Sequence, residues 1–276
     1  MHMLKSYIVV MIAIFVVFKN ISAEAKISNK KPNFNGIWQV MNTANYDLEA
    51  HSAKAALALV KKGNYLVPDP RVVALGAVGA VPEGNSVVDL EQIPYKKDAL
   101  SQKIKNQQNW LDLDPEIKCY LPGVPRATYL PYPFEIIQSD ESFLISYEFA
   151  GAVRNIYLKD PGAPAFDSWM GHSVGRWEGN TFVVKTDHLN DKTWFDRAGN
   201  YHSDKMVVVE RFTLVESHLI IYEAVITDDK VFTRPWKISM PIYKRAEKNL
   251  QLGQFKCVEF VEELLYGKLR KSSEKL

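Results

Sequence analysis

His172, Asp187, Asp196 and His202 are the residues whose types and spacing could move protons. All four lie in residues 169–204, WMGHSVGRWEGNTFVVKTDHLNDKTWFDRAGNYHSD, a stretch that also holds three of the six tryptophans. Two imidazoles exchanging protons, with Asp187 or Asp196 orienting one of them, would serve a cofactor-independent isomerase, hydratase or hydrolase. Each residue also has a plain structural reading. His172 and Ser173 could bond the backbone ahead of a strand, and Asp196 could pair with Arg197 or Arg154. His202 beside Ser203 is not a nucleophile pair, because adjacent side chains on an extended segment point apart. There is no G-x-S-x-G elbow to expose a nucleophilic serine. His172, Asp187 and His202 would make a two-histidine, one-carboxylate metal set, but none of them stand at i, i+4 and His172 and Asp187 are 15 residues apart. Neither a metal nor another cofactor is therefore expected.

A second group of residues suits ligand contact. Trp194 is a large aromatic in a polar loop, where it would either plug a barrel or stack on a ligand, and Asn190 shares that loop. In PGVPRATYLPYPFE, residues 122–135, the prolines hold an extended course on which Arg126, Tyr129 and Tyr132 could meet an anionic or carbonyl-bearing ligand. Arg154 is a further cation. The competing reading pairs these arginines with carboxylates and packs the tyrosines.

These residues need a scaffold, and the period of the sequence supplies one. From residue 133 onward FEIIQ, SFLISYEF, VRNIYL, VGRWEG, TFVVKTD, KMVVVERFTL, LIIYEAVIT, PWKISMPIYK and QFKCVEFV alternate with short turn signals such as SDE, VESH and TDDK. Turns this short join antiparallel strands. The expected fold is mainly β, an antiparallel meander forming a lipocalin-like barrel or strongly curled sheet, with an N-terminal helical arm. WEGNT should be a two-residue hairpin. Residues 188–204 lack a strand period and form a loop at one rim, where acids, bases and Trp194 could gather over the barrel mouth. Gly36-Ile37-Trp38 is similar to the Gly-x-Trp of the first lipocalin strand, whose tryptophan closes the barrel floor.

Ahead of this body, YDLEAHSAKAALALVKKG reads as a helix capped by Asp47 and ended by Gly63. Residues 64–95 read as a long ordered loop, and ALSQKIKNQQNWL as a second helix. The organisation expected is a signal peptide over residues 1–25, an arm over 26–115, a β body over 116–267 and a basic tail over 268–276. Lys5, the apolar run 7–18 and the small residues Ser22, Ala23 and Ala25 form the signal layout, and the run is too short to span a bilayer. A periplasmic or secreted protein without stable membrane insertion follows. Removing residues 1–25 takes Lys5, Lys19 and Glu24 from 34 basic and 32 acidic side chains, leaving a nearly neutral chain. Without a basic stripe, nucleic acid is not an expected partner. Cys119 and Cys257 are the only cysteines, and an even count in an exported chain favours a disulfide between them.

The segments ANYDLEAH, ALGAVGAVPEG, DPEIKCYLPGVPRATYLPYPFEI, GHSVGRWEGNTFVV, TWFDRAGNYHSD and FTRPWKISMPIYKR resemble those of a widespread, uncharacterised family of exported bacterial proteins over roughly residues 32–267. Relatives carry aspartate where this chain has Asn180. The resemblance implies an architecture and a motif map but no reaction. The leading expectation is binding of a small, largely apolar molecule in a barrel cavity with a polar-aromatic rim. The alternative is the acid/base enzyme built on His172, His202 and Asp187 or Asp196.

Overall fold

The computed structural model describes residues 31–53, 59–68, 81–89 and 92–254. The segments 1–25 and 268–276, Cys257 and all but the first residue of the strand expected over 254–261 lie outside the described residues.

Nine strands close a barrel. In chain order they are β1 (Gly36–Val40), β4 (Phe134–Gln138), β5 (Ser142–Tyr147), β6 (Val153–Tyr157), β7 (His172–Glu178), β8 (Thr181–Asp187), β9 (Val207–Glu216), β10 (Leu219–Thr227) and β11 (Trp236–Lys244). Strands β2 (Leu59–Lys62) and β3 (Tyr65–Pro68) make a separate hairpin. Around the wall the order is β1-β11-β10-β9-β8-β7-β6-β5-β4, and β1 closes it by pairing Trp38 with Phe134 of β4 and with Lys244 of β11. Closure removes the open edges that an exposed sheet would present for aggregation.

The alternation read from sequence points one side chain in two into the barrel. Val208, Glu210 and Phe212 of β9, Ile220, Tyr222, Ala224 and Ile226 of β10, and Ile238, Met240 and Ile242 of β11 are buried in this way. Trp38 is fully buried and donates its indole N–H to the Phe34 carbonyl at 2.8 Å. WEGNT is a two-residue hairpin, pairing Glu178 with Thr181, and its positive φ falls on Gly179 (58°).

One pair departs from the meander. β7 runs parallel to β6, pairing Ile156 with Ser173 and Tyr157 with Val174, because the connection 158–171 is long enough to cross back along the barrel. The wall is therefore mixed.

The helix expected over 46–63 is the larger correction. Residues 59–68 are the β2–β3 hairpin, turning at Gly63 (φ 61°). Upstream, the Asp47 side chain accepts from the Glu49 amide, Leu48 gives its amide to Asp196 and its carbonyl to Val87, and His51 bridges Gly84. Those backbone groups are committed outside a helical ladder, by tertiary and local side-chain bonds, and residues 54–58 of the expected helix lie outside the described residues. The second helix forms as α1 (Lys97–Gln108) followed by α2 (Trp110–Leu113), and α3 (Arg126–Tyr129) precedes β4. The arm is tied to the wall where Val88 bridges Ile238, continuing beside β11 beyond the end of β1.

Packing inside the wall is close. A Cβ on Gly175 of β7 would lie 2.4 Å from the Phe182 ring and 2.8 Å from Ile156 Cγ2. Gly175→Ala is expected to lower stability by about 1–3 kcal/mol through overpacking, read as a reduced denaturant midpoint with an unchanged slope.

Candidate functional site at the rim of the barrel

The two ends of the barrel differ. At one end the strands join through short turns at 139–141, 179–180 and 217–218. At the other end lie the chain after β1, the helices before β4, and the loops 188–206 and 228–235. The polar residues singled out from sequence collect mostly at this second end, but they do not converge on one cavity.

Arg126, 1% exposed, donates from Nε to Asn45 Oδ1 (3.0 Å), from Nη1 to Asp114 Oδ1 (2.9 Å) and from Nη2 to Glu116 Oε2 (2.6 Å). Arg197 clamps both oxygens of Glu116 at 2.9 Å. Burial opposes the Glu116 charge, but the two guanidiniums overcome it and hold the carboxyl down at about 2. Arg126 is thus spent within the protein.

Arg154 points into the barrel. Its Nε donates to Ser173 Oγ (2.9 Å) and its Nη2 to Thr186 Oγ1 (2.6 Å), and it forks onto Glu210, which also accepts from the Tyr222 hydroxyl (2.9 Å). The polar layer draws one side chain from each of five successive strands, β6 to β10. Above and below it Phe143, Phe182, Phe212 and their neighbours belong to a single core cluster, with Phe143 and Phe182 stacked at 4.1 Å.

His202 is buried in the loop. Its Nδ1 lies 2.9 Å from the Ser203 carbonyl, which can only accept, so Nε2 accepts from the Thr193 hydroxyl at 2.6 Å. Burial lowers its pKa and keeps the ring neutral. Asp196 accepts from the amides of Leu48, Ala198 and Asn200 and from the Asn200 side chain. Burial and then the Asp47 charge push Asp196 up to about 8, against those four donors. His172, inside β7 and not ahead of it, stacks on Tyr157 at 5.4 Å and meets Asp160 at 3.4 Å. Asp187 holds Lys185 at 2.8 Å, and Asn190 accepts from the Lys192 amide. Trp194 is 8% exposed and bridges Tyr201, while Tyr132 lies against Phe149. The two histidines of the expected proton relay thus bond to different partners and share none.

This placement makes a structural role for His202 testable. His202→Ala leaves the Thr193 hydroxyl without its partner, so the variant should lose about 1–3 kcal/mol of stability. Above pH about 6.5 neither state binds the proton, and below it only the unfolded imidazole does so freely; wild-type stability should fall as pH drops through that value, and His202→Ala should remove this part of the slope. Chemical denaturation of both proteins between pH 5 and 8 checks this.

A different set of residues does converge. Tyr46, Asp47, His51, Gln107, Trp110 and Arg197, with Val81 and Ala198, line a small pocket of about 20 Å³ that opens to solvent. Its walls are positioned tightly. Gly199 lets the 196–200 loop lie against α1, where a Cβ would sit 2.6 Å from the Gln107 nitrogen, and Asn106 Nδ2 donates to the Gly199 carbonyl. Arg197 lies over the Tyr46 ring at 5.4 Å. The His51 Nδ1 is 2.9 Å from the Glu49 carbonyl, which can only accept, so Nδ1 carries a proton. That Nε2 and the Trp110 Nε1–H are both buried without a hydrogen-bond partner. Burial also raises the Asp47 carboxyl.

None of Tyr46, His51, Gln107 or Trp110 was a candidate from sequence. The only signal was ANYDLEAH, which carries Tyr46, Asp47 and His51 but reads as helix. Among the described residues no cluster of histidine, cysteine and carboxylate side chains has metal-binding geometry.

Fold and rim together define a mainly β protein with a closed, mixed, lipocalin-like barrel and a polar pocket on its elaborated end. No protein-family model matches the chain, and no curated protein matches it.

Proposed function

We propose that this is an exported small-molecule-binding protein, released to the periplasm or beyond, whose ligand occupies the rim pocket between His51 and Trp110. The observation that carries the reading is that two residues lining one pocket, His51 and Trp110, each hold a buried polar atom without a hydrogen-bond partner. An unsatisfied buried group costs about 1–3 kcal/mol, which a ligand or water in the pocket recovers. The packed aromatic interior favours this pocket over an apolar molecule inside the barrel. The signal layout at residues 1–25 supports export, and the shared motifs support membership in the exported bacterial family. The test is mass spectrometry of small molecules retained by protein purified from its native envelope. A compound lost in both Trp110→Phe and His51→Ala supports the pocket; one retained by both variants moves the ligand elsewhere.

One observation favours acid/base chemistry as a second reading, with a new residue at its centre: His51 Nε2 is buried without a hydrogen-bond partner, and His51 shares the pocket wall with Asp47. Recovery of two interconverting isomers in place of one compound would favour it.

Export also supports a Cys119–Cys257 bridge. Closing a loop of this length would stabilise by up to about 5 kcal/mol in the chain-entropy model. Mass spectrometry after alkylation without reduction should find neither thiol labelled, and labelling of both would overturn the pairing.

A further inference from the structure

The crossover 158–171, the connection that sets β7 parallel to β6, is fastened to the barrel by two contacts of one kind. Its Asp160 carboxylate accepts from His172 Nε2 at 3.4 Å, and its Asp167 carboxylate accepts from His188 Nδ1 at 3.1 Å. Both imidazoles belong to the wall. His172 opens β7 and pairs with Asp187, the last residue of β8, which His188 follows. The two rings meet edge to face with centroids 6.5 Å apart. His188 stands at φ 54°, in the left-handed region, where a residue with a Cβ stays only when its surroundings fix it. From 159 to 167 every residue but Pro164 is exposed, Phe166 included, so apolar burial does not hold this span. The backbone joins the wall at Ser168, which donates to the His188 carbonyl and accepts from the Asn190 amide, each at 2.9 Å.

The charges around the rings are unevenly matched. Lys185 is held on Asp187 at 2.8 Å, and Lys205, which also feels Asp167, is held on Asp204 at 2.8 Å. Lys159 is exposed beside Asp160 in the chain. Among the described residues the imidazoles are the only ion-pair partners of Asp160 and Asp167. The Gly162 amide, and then the His172 ring, hold the Asp160 carboxyl below the usual carboxylate range, so it is ionised wherever an imidazole titrates. A neutral ring already donates one N–H, and a second proton makes the contact charge-assisted, roughly twice as strong. Imidazole takes up that proton between about pH 8 and 5. Repulsion between the two imidazoliums opposes the second proton, and the carboxylates of Asp160, Asp167 and Asp187 outweigh it.

We propose that the crossover is a pH-operated latch: proton uptake by His172 and His188 fastens residues 158–171 to the wall, and proton loss loosens them. The fastened state binds more protons than the loosened one, so by linkage fastening strengthens as pH falls from about 8 to 5. None of these residues lines the rim pocket, and the latch does not depend on it.

The test is amide hydrogen exchange on the full chain at about pH 5 and pH 8, corrected for the intrinsic rate at each pH. The Ser168 and Asn190 amides, bonded across the junction, report its opening. Three proteins are compared: wild type, the double variant Asp160→Asn, Asp167→Asn, and the double variant His172→Gln, His188→Gln. Both carboxylates are well exposed, so the first variant keeps its fold, and exchange in the β9–β10 ladder checks this for each protein. The ratio of protection at acid to protection at alkaline pH is expected to be about threefold or more higher in wild type than in either variant. Comparison with the variants removes the separate pH response of His202. An equal ratio in wild type and either variant, or a lower one in wild type, overturns the latch.

Discussion

Glu210→Leu is expected to destabilise the barrel by about 3–5 kcal/mol, enough to threaten folding of a protein of ordinary stability. The Arg154 guanidinium sits inside the wall with its two strongest partners on Glu210, and removing the carboxylate strands a cation that the Ser173 and Thr186 hydroxyls cannot neutralise. Tyr222 loses its acceptor as well. The pair itself need not stabilise the fold, because the cost of burying two charges offsets most of their attraction. The double variant Arg154→Met, Glu210→Leu should therefore recover most of the loss. Urea unfolding of the three proteins measures both effects. A single-variant cost below about 1 kcal/mol would mean that Arg154 reaches water.

The second large effect is at Arg126. Arg126→Met leaves Asp114 without its fork and Glu116 with Arg197 alone, and a loss of about 3–5 kcal/mol is expected. The same cluster predicts a response to acid. Glu116 titrates at about 2 in the folded protein against 4.5 ordinarily, so its contribution is present above pH 4.5 and is lost as pH falls toward 2. A tenfold change in proton affinity is worth about 1.4 kcal/mol, so this contribution amounts to roughly 3 kcal/mol. Asp114 is pushed up by burial and works in the opposite direction, so the difference between wild type and Glu116→Gln carries the test. That difference should shrink as pH falls from 4.5 to 2.

Much of the wall was legible because a half-buried strand writes its geometry into the sequence at period two. In LIIYEAVIT the buried residues are Ile220, Tyr222, Ala224 and Ile226, at every second position. The parallel β6–β7 pair was not legible, since a connection of that length fits either direction. The helix expected from Asp47 failed because its backbone partners, Asp196, Val87 and Gly84, come from distant parts of the chain. The partners of the rim residues were not legible for the same reason. Arg126 could be read as a cation seeking a carboxylate, but nothing local indicates that Asn45, 81 residues away, completes its coordination. His51 and Trp110 meet at the pocket through tertiary packing, so no spacing rule joins them. His202, rich in apparent chemistry, is held by Thr193 and by its own neighbour.

The most direct test of the rim-pocket account is an electron-density map of protein purified from its native envelope, phased without any ligand. The account predicts connected density larger than a water between His51 Nε2 and Trp110 Nε1, within hydrogen-bonding distance of both. Ligand density inside the barrel beside Tyr222 and Phe212, with only solvent between His51 and Trp110, would contradict it.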